Sequence, residues 1–282
     1  MTEHMSALAK TAAAAAAMII GAGASAQDVP LRLTTFDCGA IGVSDLNIFS
    51  DTDAYTGVEK TLSVSCFLIE HGEQKLLFDL GLPDAMAGNP LVVPGQALHV
   101  ERTLAAQLEE LGIAPDDIDL IAVSHAHFDH AGNVDMFPNA TLIIQSVEWD
   151  ALFNGGGGAG PMDPSLFSEF ADGENVRLVS GDHDVFGDGS VVTLFTPGHT
   201  PGHQALLVRL ANAGPVILSG DWAHFTENRE SRGVPDFNWN RADTLASMDR
   251  LEDLAANLGA RIIIAHEPDD IATLPQFPAA LD

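Results

Sequence analysis

The 282-residue sequence predicts an α/β chain in which two sheets pack face to face and helices lie outside them. Three observations predict it. Short apolar runs bounded by Gly and Asp recur along the chain and read as strands. Only two stretches carry a helical period. No internal repeat, charge block or Pro/Ser-rich linker cuts the chain between Gln27 and Asp282, so that span reads as a single domain.

The first element lies outside that domain. Lys10 precedes an apolar run, Thr11 to Ala24, that ends in the small-x-small pattern Ala24-Ser25-Ala26. The run is too short to span a bilayer, which takes roughly 20 apolar residues. Residues 1–26 are therefore expected to be a cleaved signal peptide, giving a periplasmic or secreted protein with no stable membrane insertion.

Leu31 to Phe36, Leu62 to Ile69 and Leu76 to Asp79 are predicted strands, the last closing at Gly81. Between the first two, Gly39 to Lys60 is a long polar segment holding Tyr55, the single tyrosine. Loops of that length are commonly flaps or partner contacts. Val100 to Leu111 is a predicted helix, with Val100, Leu104, Leu108 and Leu111 on one face and Gly112 as its stop. Four strands then end in chemistry-bearing loops. Ile118 to Val123 leads to Ser124-His125, Val191 to Phe195 to Thr196-Pro197-Gly198-His199, and Val216 to Leu218 to Ser219-Gly220-Asp221. Ile262 to Ala265 leads directly to His266. A further strand, Leu142 to Gln145, is followed by the glycine run Gly155 to Gly160, which lacks GK[ST] and reads as a mobile surface loop. The second helix, Arg241 to Leu258, has Asn240 as N-cap and Leu245, Met248, Leu251 and Leu258 inward.

Composition limits the partners. The formal net charge is −28 with only 18% charged residues, so the imbalance reflects scarce Lys and Arg rather than an acidic tail. With 46% hydrophobic residues the chain can bury a core, which excludes a disordered polyanion. No basic stripe exists for nucleic acid, and polyanionic substrates would be repelled. Cys38 and Cys66 lack CxxC spacing. In an oxidising compartment they can pair, and two buried thiols are the equal alternative.

The segment Ser124-His125-Ala126-His127-Phe128-Asp129-His130 places four potential ligands within six residues. His125 and His127 alternate, so an extended backbone points them to one side. Asp129 and His130, opening the next helix, reach a second point. Imidazole with carboxylate suits zinc or another divalent first-row metal. His199, Asp221 and His266 each follow an apolar strand by one to four residues. Five His and two Asp are too many for one tetrahedral ion and about right for two.

This pattern, HxHxDH with a later His, Asp and His, resembles the metallo-β-lactamase superfamily. The resemblance covers essentially the whole mature chain, including Phe78-Asp79-Leu80-Gly81 and Thr196 to His203. It implies a four-layer αββα sandwich holding two divalent ions, zinc first, with cobalt, manganese or iron as alternatives. By the same resemblance His125, His127 and His199 hold one ion. Asp129, His130 and His266 hold the other, and Asp221 bridges them. Asp79 would orient a ligand by hydrogen bonding, His203 would be structural, and Leu80 stands where the family usually has Thr.

Within that superfamily the chain is similar to the N-acyl homoserine lactonases. The similarity rests on Ser124 to Gly132, on Asp221 and on the long segment before Cys66. It implies a hydrolase that opens a neutral lactone ring by attack of a hydroxide shared between two ions. It also implies a homodimer contact through Gly39 to Lys60, and Phe128 either in the pocket wall or as core filler. Many of these lactonases carry Tyr three residues after the bridging Asp. Here that position is His224, either a proton or hydrogen-bond donor to the opening lactone or a surface histidine, and Asp129 is the other catalytic candidate. The alternative function is an exported β-lactamase or a broad ester and organophosphate hydrolase. Zinc β-lactamases generally lack the bridging aspartate that Asp221 supplies.

Overall fold

A computed structural model describes residues 29–155 and 162–282. The expected signal peptide and Gly156 to Gly160 of the glycine run lie outside the described residues.

Strands β1 (Leu31–Val43), β2 (Lys60–His71) and β3 (Gln74–Phe78) form an antiparallel meander. A short hairpin, β4 (Leu91–Val93) and β5 (Gln96–His99), adds to its β1 edge. Helix α1 (Leu104–Glu110) then crosses to β6 (Leu120–Ala122), which runs parallel to β3. The one-turn helix α2 (Phe128–Ala131) follows, then β7 (Thr141–Gln145), α3 (Ser146–Asn154) and β8 (Val176–Val179), with the strands still parallel. The second sheet contains β9 (His183–Asp184), β10 (Val191–Phe195), β11 (Gln204–Leu210) and β12 (Gly214–Leu218). After α4 (Thr226–Ser231) and α5 (Arg241–Leu258), β13 (Arg261–Ile263) pairs parallel with β12. The order is β13-β12-β11-β10-β9. A last helix α6 (Pro268–Ile271) and strand β14 (Ala280–Leu281) return the chain to β1.

Alternation along the strands builds the layers, because successive side chains face opposite sides of a sheet. Phe67, Ile69, Leu76 and Phe78 of the first sheet meet Leu206, Val208, Val216 and Leu218 of the second, all buried. Leu68, Leu77, Ile121 and Leu142 face the other way and pack under Leu104 and Leu108 of α1. Leu207 and Ile217 face α5 through Met248, Leu251 and Ala255. The result is helix, sheet, sheet, helix: the expected four-layer αββα sandwich. Among the described residues no helix is long and apolar enough to cross a membrane.

Several element boundaries differ from those the sequence predicts. The first strand runs on to Val43 because β5 supplies a partner for Ala40 to Val43, leaving residues 44–59 as the connection. Helix α1 starts only at Leu104, where the Thr103 side chain accepts from Ala106 N. The strand at Thr141 to Gln145 leads into α3, not straight into the glycine run; Gly155, at φ 68°, ends that helix. In α5 the buried face is Thr244, Ser247, Met248, Leu251 and Ala255, with Leu245 and Leu258 only flanking it. Strand β11 is hidden from pattern reading, since residues 204 to 208 are buried without alternation.

Cys38 and Cys66 form a disulfide, which closes the alternative left open above. It crosses β1 and β2 directly behind Gly81, whose φ is 67°; a Cβ there would lie 2.3 Å from Cys38 Cβ. Only glycine lets that turn approach the bridge so closely. The turn in turn supports α2: Leu80 N donates to His130 O and Gly132 N donates to Gly81 O.

Candidate metal centre

All four predicted strand ends open on the same rim of the sandwich. There the side chains of His125, His127, His199 and Asp221 bring one ligand atom each within 4.8 Å of one another. Asp129, His130 and His266 do the same beside them. In the first group His125 Nε2 lies 2.9 Å from His127 Nδ1, and His199 Nε2 lies 3.2 Å from the same atom. Asp221 serves both groups. Its Oδ2 is 3.7 Å from His125 Nε2 and 3.4 Å from His199 Nε2, while Oδ1 is 3.1 Å from both His130 Nε2 and His266 Nε2.

The hydrogen bonds behind the second group define what its inner face presents. His130 Nδ1 donates to Asp79 Oδ2 at 2.9 Å, and His266 Nδ1 donates to the carbonyl of Ser63 at 2.6 Å. Once neutral, each ring keeps its proton on the outward nitrogen and turns a lone pair inward. Those two inner nitrogens face each other at 3.1 Å across the Asp221 carboxylate. Such an array calls for a cation, and the donor set of five imidazoles and two carboxylates fits a pair of divalent ions.

The titration shifts express the same demand for positive charge. Burial and neighbouring rings hold His125 well below the ordinary histidine value, and burial does the same at His199. At His130 burial also opposes charge, yet Asp221, Asp79 and Asp129 outweigh it and raise the ring well above that value. His266 is raised as well, burial being outweighed chiefly by Asp221. Asp221 itself is held well below the usual carboxylate range, because His130, His266 and His224 overcome its burial.

Beside the cluster is a cavity of about 240 Å³. Ile41, Ile48, Phe49, Leu62, Phe128 and Phe237 make its apolar wall; Gln96, His127, Asp129, Asp221, His224 and His266 supply the polar part. His224 is buried, with Nε2 3.2 Å from Asp221 Oδ2, its ring 4.6 Å from that of Phe49 and parallel to that of His266.

The sequence profile of the metallo-beta-lactamase superfamily matches residues 60–266, which contain every residue of the two donor groups. The chain belongs to this superfamily. It is 33% identical over 240 residues to the N-acyl homoserine lactonase AttM of Azorhizobium caulinodans, covering 80% of this chain and 90% of that one. To the N-acyl homoserine lactonase AiiA of Bacillus thuringiensis subsp. kurstaki it is 30% identical over 225 residues, covering 77% and 86%. Its fold is similar to that of an N-acyl homoserine lactone hydrolase with the product N-hexanoyl-L-homoserine bound at the catalytic metal center. The TM-score is 0.75 and the identity 28%, over 90% of this chain and 99% of that one.

In this superfamily member the outer residues are placed as follows. Asp79, at φ 55°, is buried and accepts from Ser124 N at 2.6 Å as well as from His130. His203 donates from Nδ1 to Thr196 O at 3.0 Å and accepts Asp221 N at Nε2 at 2.8 Å, so it fixes the backbone of the shared carboxylate. Burial pushes its pKa down to about 3, which keeps Nε2 an acceptor. Phe128 is half-buried on the cavity wall. Tyr55 stays away from the cavity: its hydroxyl bonds Glu227 O and Ser231 Oγ, and its ring packs on Phe225.

Sequence reasoning missed two parts of the site. One is the wall formed by Ile48, Phe49 and Phe237, which depends on the 44–59 connection folding back on the chain. Asp51 N donates to Val234 O, Asp236 N to Ile48 O and Asn228 Nδ2 to Phe49 O. The other is Glu148, fully buried on α3, a helix that the sequence pattern does not predict. Its burial raises its pKa against the pull of its hydrogen bonds. The alternation Val147, Glu148, Trp149 gives no signal for a buried carboxylate.

Proposed function

We propose that this chain is an exported, two-zinc hydrolase that opens the lactone ring of N-acyl homoserine lactones. The observation that carries the reading is the Asp221 carboxylate set between the two donor groups, at the floor of a mainly apolar cavity. The lactonases to which the chain is similar support the substrate class. So does the charge of −28, which disfavours anionic substrates and leaves neutral lactones unaffected.

His125, His127 and His199 would hold one ion, Asp129, His130 and His266 the other, and Asp221 both. When bound, two such ions supply Lewis acidity, polarising an ester carbonyl and bringing the pKa of water towards neutrality. The chain's own residues do the rest. The wall of Ile41, Leu62, Phe128 and Phe237 shields the lactone from bulk water, which strengthens polar interactions inside. His224 stands at the cavity edge, where its imidazole can give a proton or hydrogen bond to the oxygen that leaves the ring. Asp129 lines the same cavity and is the second group able to hold a proton there. Zinc is the ion proposed because nitrogen-rich sets of this kind suit it. Residues 1–26 are proposed to direct export, and the 39–60 segment to contact a second copy.

A turnover screen of zinc-loaded protein across short- and long-chain homoserine lactones, penicillins, cephalosporins and aryl esters tests the substrate. Lactones should be fastest; a β-lactam or aryl ester turned over faster would replace this reading with the alternative. N-terminal sequencing of exported protein should begin at or near Gln27, and light scattering should give the mass of a dimer.

A further inference from the structure

Glu148 stands in the first turn of α3 with its side chain fully buried and, among the described residues, forms no salt bridge. A buried carboxylate without a cation is costly unless hydrogen bonds replace its water. Both oxygens are so used. Oε1 accepts from Ala126 N at 2.9 Å and Oε2 from Gly202 N at 2.8 Å. Ala126 separates His125 from His127. Gly202 lies three residues beyond His199 and directly before His203, which accepts the backbone N–H of Asp221. Packing around the second contact is equally close, since a Cβ on Gly202 would sit 2.5 Å from the N and Cβ of Glu148.

The second donor group is oriented by acceptors behind its rings, but among the described residues His199 Nδ1 makes no hydrogen bond. The ring therefore depends on its backbone for direction. We propose that Glu148 is a positioning residue for the first ion site: one carboxylate clamps the two segments that present His125, His127 and His199, and sets their spacing before an ion arrives. The inference rests on these residues holding an ion and is independent of the lactone substrate.

The affinities of both zinc ions, measured by competition with a chromophoric chelator, test it in wild type and E148Q. In the variant an amide NH₂ replaces one acceptor and opposes an N–H donor. One ion should bind about 10–100-fold more weakly, the range typical of losing an outer partner, while the other keeps its affinity. Unchanged affinities would overturn the proposal. So would an equal loss at both sites together with a lower melting temperature of the metal-free variant, which would make Glu148 a general core residue. Should E148Q fail to fold, amide exchange in metal-free wild type decides instead. Ala126 and Gly202 should be protected without zinc, and exchange as fast as in exposed loops would sink the clamp. Wild type binding fewer than two ions would refute the two-ion reading, and amide exchange at Ala126 and Gly202 would then decide the clamp separately.

Discussion

His130 and His266 each aim their second nitrogen at an oxygen of the protein, whereas His199 aims its own at none among the described residues. The two donor groups are thus held by different means. The Asp129, His130 and His266 group is steered ring by ring, from Asp79 on the turn after β3 and from the Ser63 carbonyl on β2. In the His125, His127 and His199 group the Ser124 hydroxyl meets His125 Nδ1 at 3.0 Å, and the backbone is held from Glu148 on α3 and, for Asp221, from His203. The difference follows from location. The second group lies against the first sheet, where carbonyls and the Asp79 turn are within reach. The first spans two loops, and Glu148 at the start of α3 reaches both.

The largest test of this contrast removes the residue common to both groups. Asp221→Ala should weaken both ions and depress turnover by more than the about 100-fold expected from losing an outer partner. Elemental analysis and chelator competition read the first effect. Full occupancy with near-normal turnover would return the site to a lactamase-like arrangement without a shared carboxylate.

Next in size is His224, which touches Asp221 but belongs to neither group. His224→Ala should lower turnover by about 10²–10⁴-fold with both ions still bound. His224→Tyr should recover part of that loss. Ion loss in His224→Ala would instead make the residue a ligand support and move the proton donor to Asp129.

Asp79→Asn addresses chiefly the second group. Asn tolerates the left-handed backbone at this position and keeps one oxygen to accept from Ser124 N, so the change removes the acceptor that faces His130. The second ion should bind about 10–100-fold more weakly with the first unaffected. Equal weakening of both ions would erase the distinction between the groups.

The smallest effect is on the pH dependence of the metal-free protein. His125, His199 and His203 are depressed below 6.5, His203 to about 3, so below 6.5 the unfolded chain binds more protons. Stability then falls as pH drops from 6.5 towards 3. His130 and His266 are raised, so their contribution is complete below 6.5 and is lost as pH rises through their folded values. Urea midpoints of metal-free protein should therefore peak near 6.5. A monotonic rise from pH 6.5 to 9 would show that the raised pair contributes nothing.

Much of the site was legible because its candidate ligands follow apolar strands in sequence, and a strand end fixes where the next few residues emerge. That is why His125, His199, Asp221 and His266, from four separate strands, could be assigned to one centre. Helix α5 was legible between Asn240 and Gly259, since both caps are local chemistry. Glu148 was not: nothing adjacent to it distinguishes a carboxylate facing solvent from one facing two distant amides. Strand β11 was not, because a strand covered on both faces loses its alternation.

The sequence by itself therefore determined the layer order, the seven side chains around the two ion positions, and the acidic character that leaves neutral substrates. Those depend on composition, local periodicity and spacing within a few residues. Only the tertiary structure decided that Cys38 and Cys66 are bridged, that the 44–59 connection closes the cavity with Ile48 and Phe49, and that Tyr55 points away from it. Each of these depends on contacts between segments far apart in the chain, such as Asp51 with Val234 or Ala126 with Glu148, and their closure is set by packing of the whole fold.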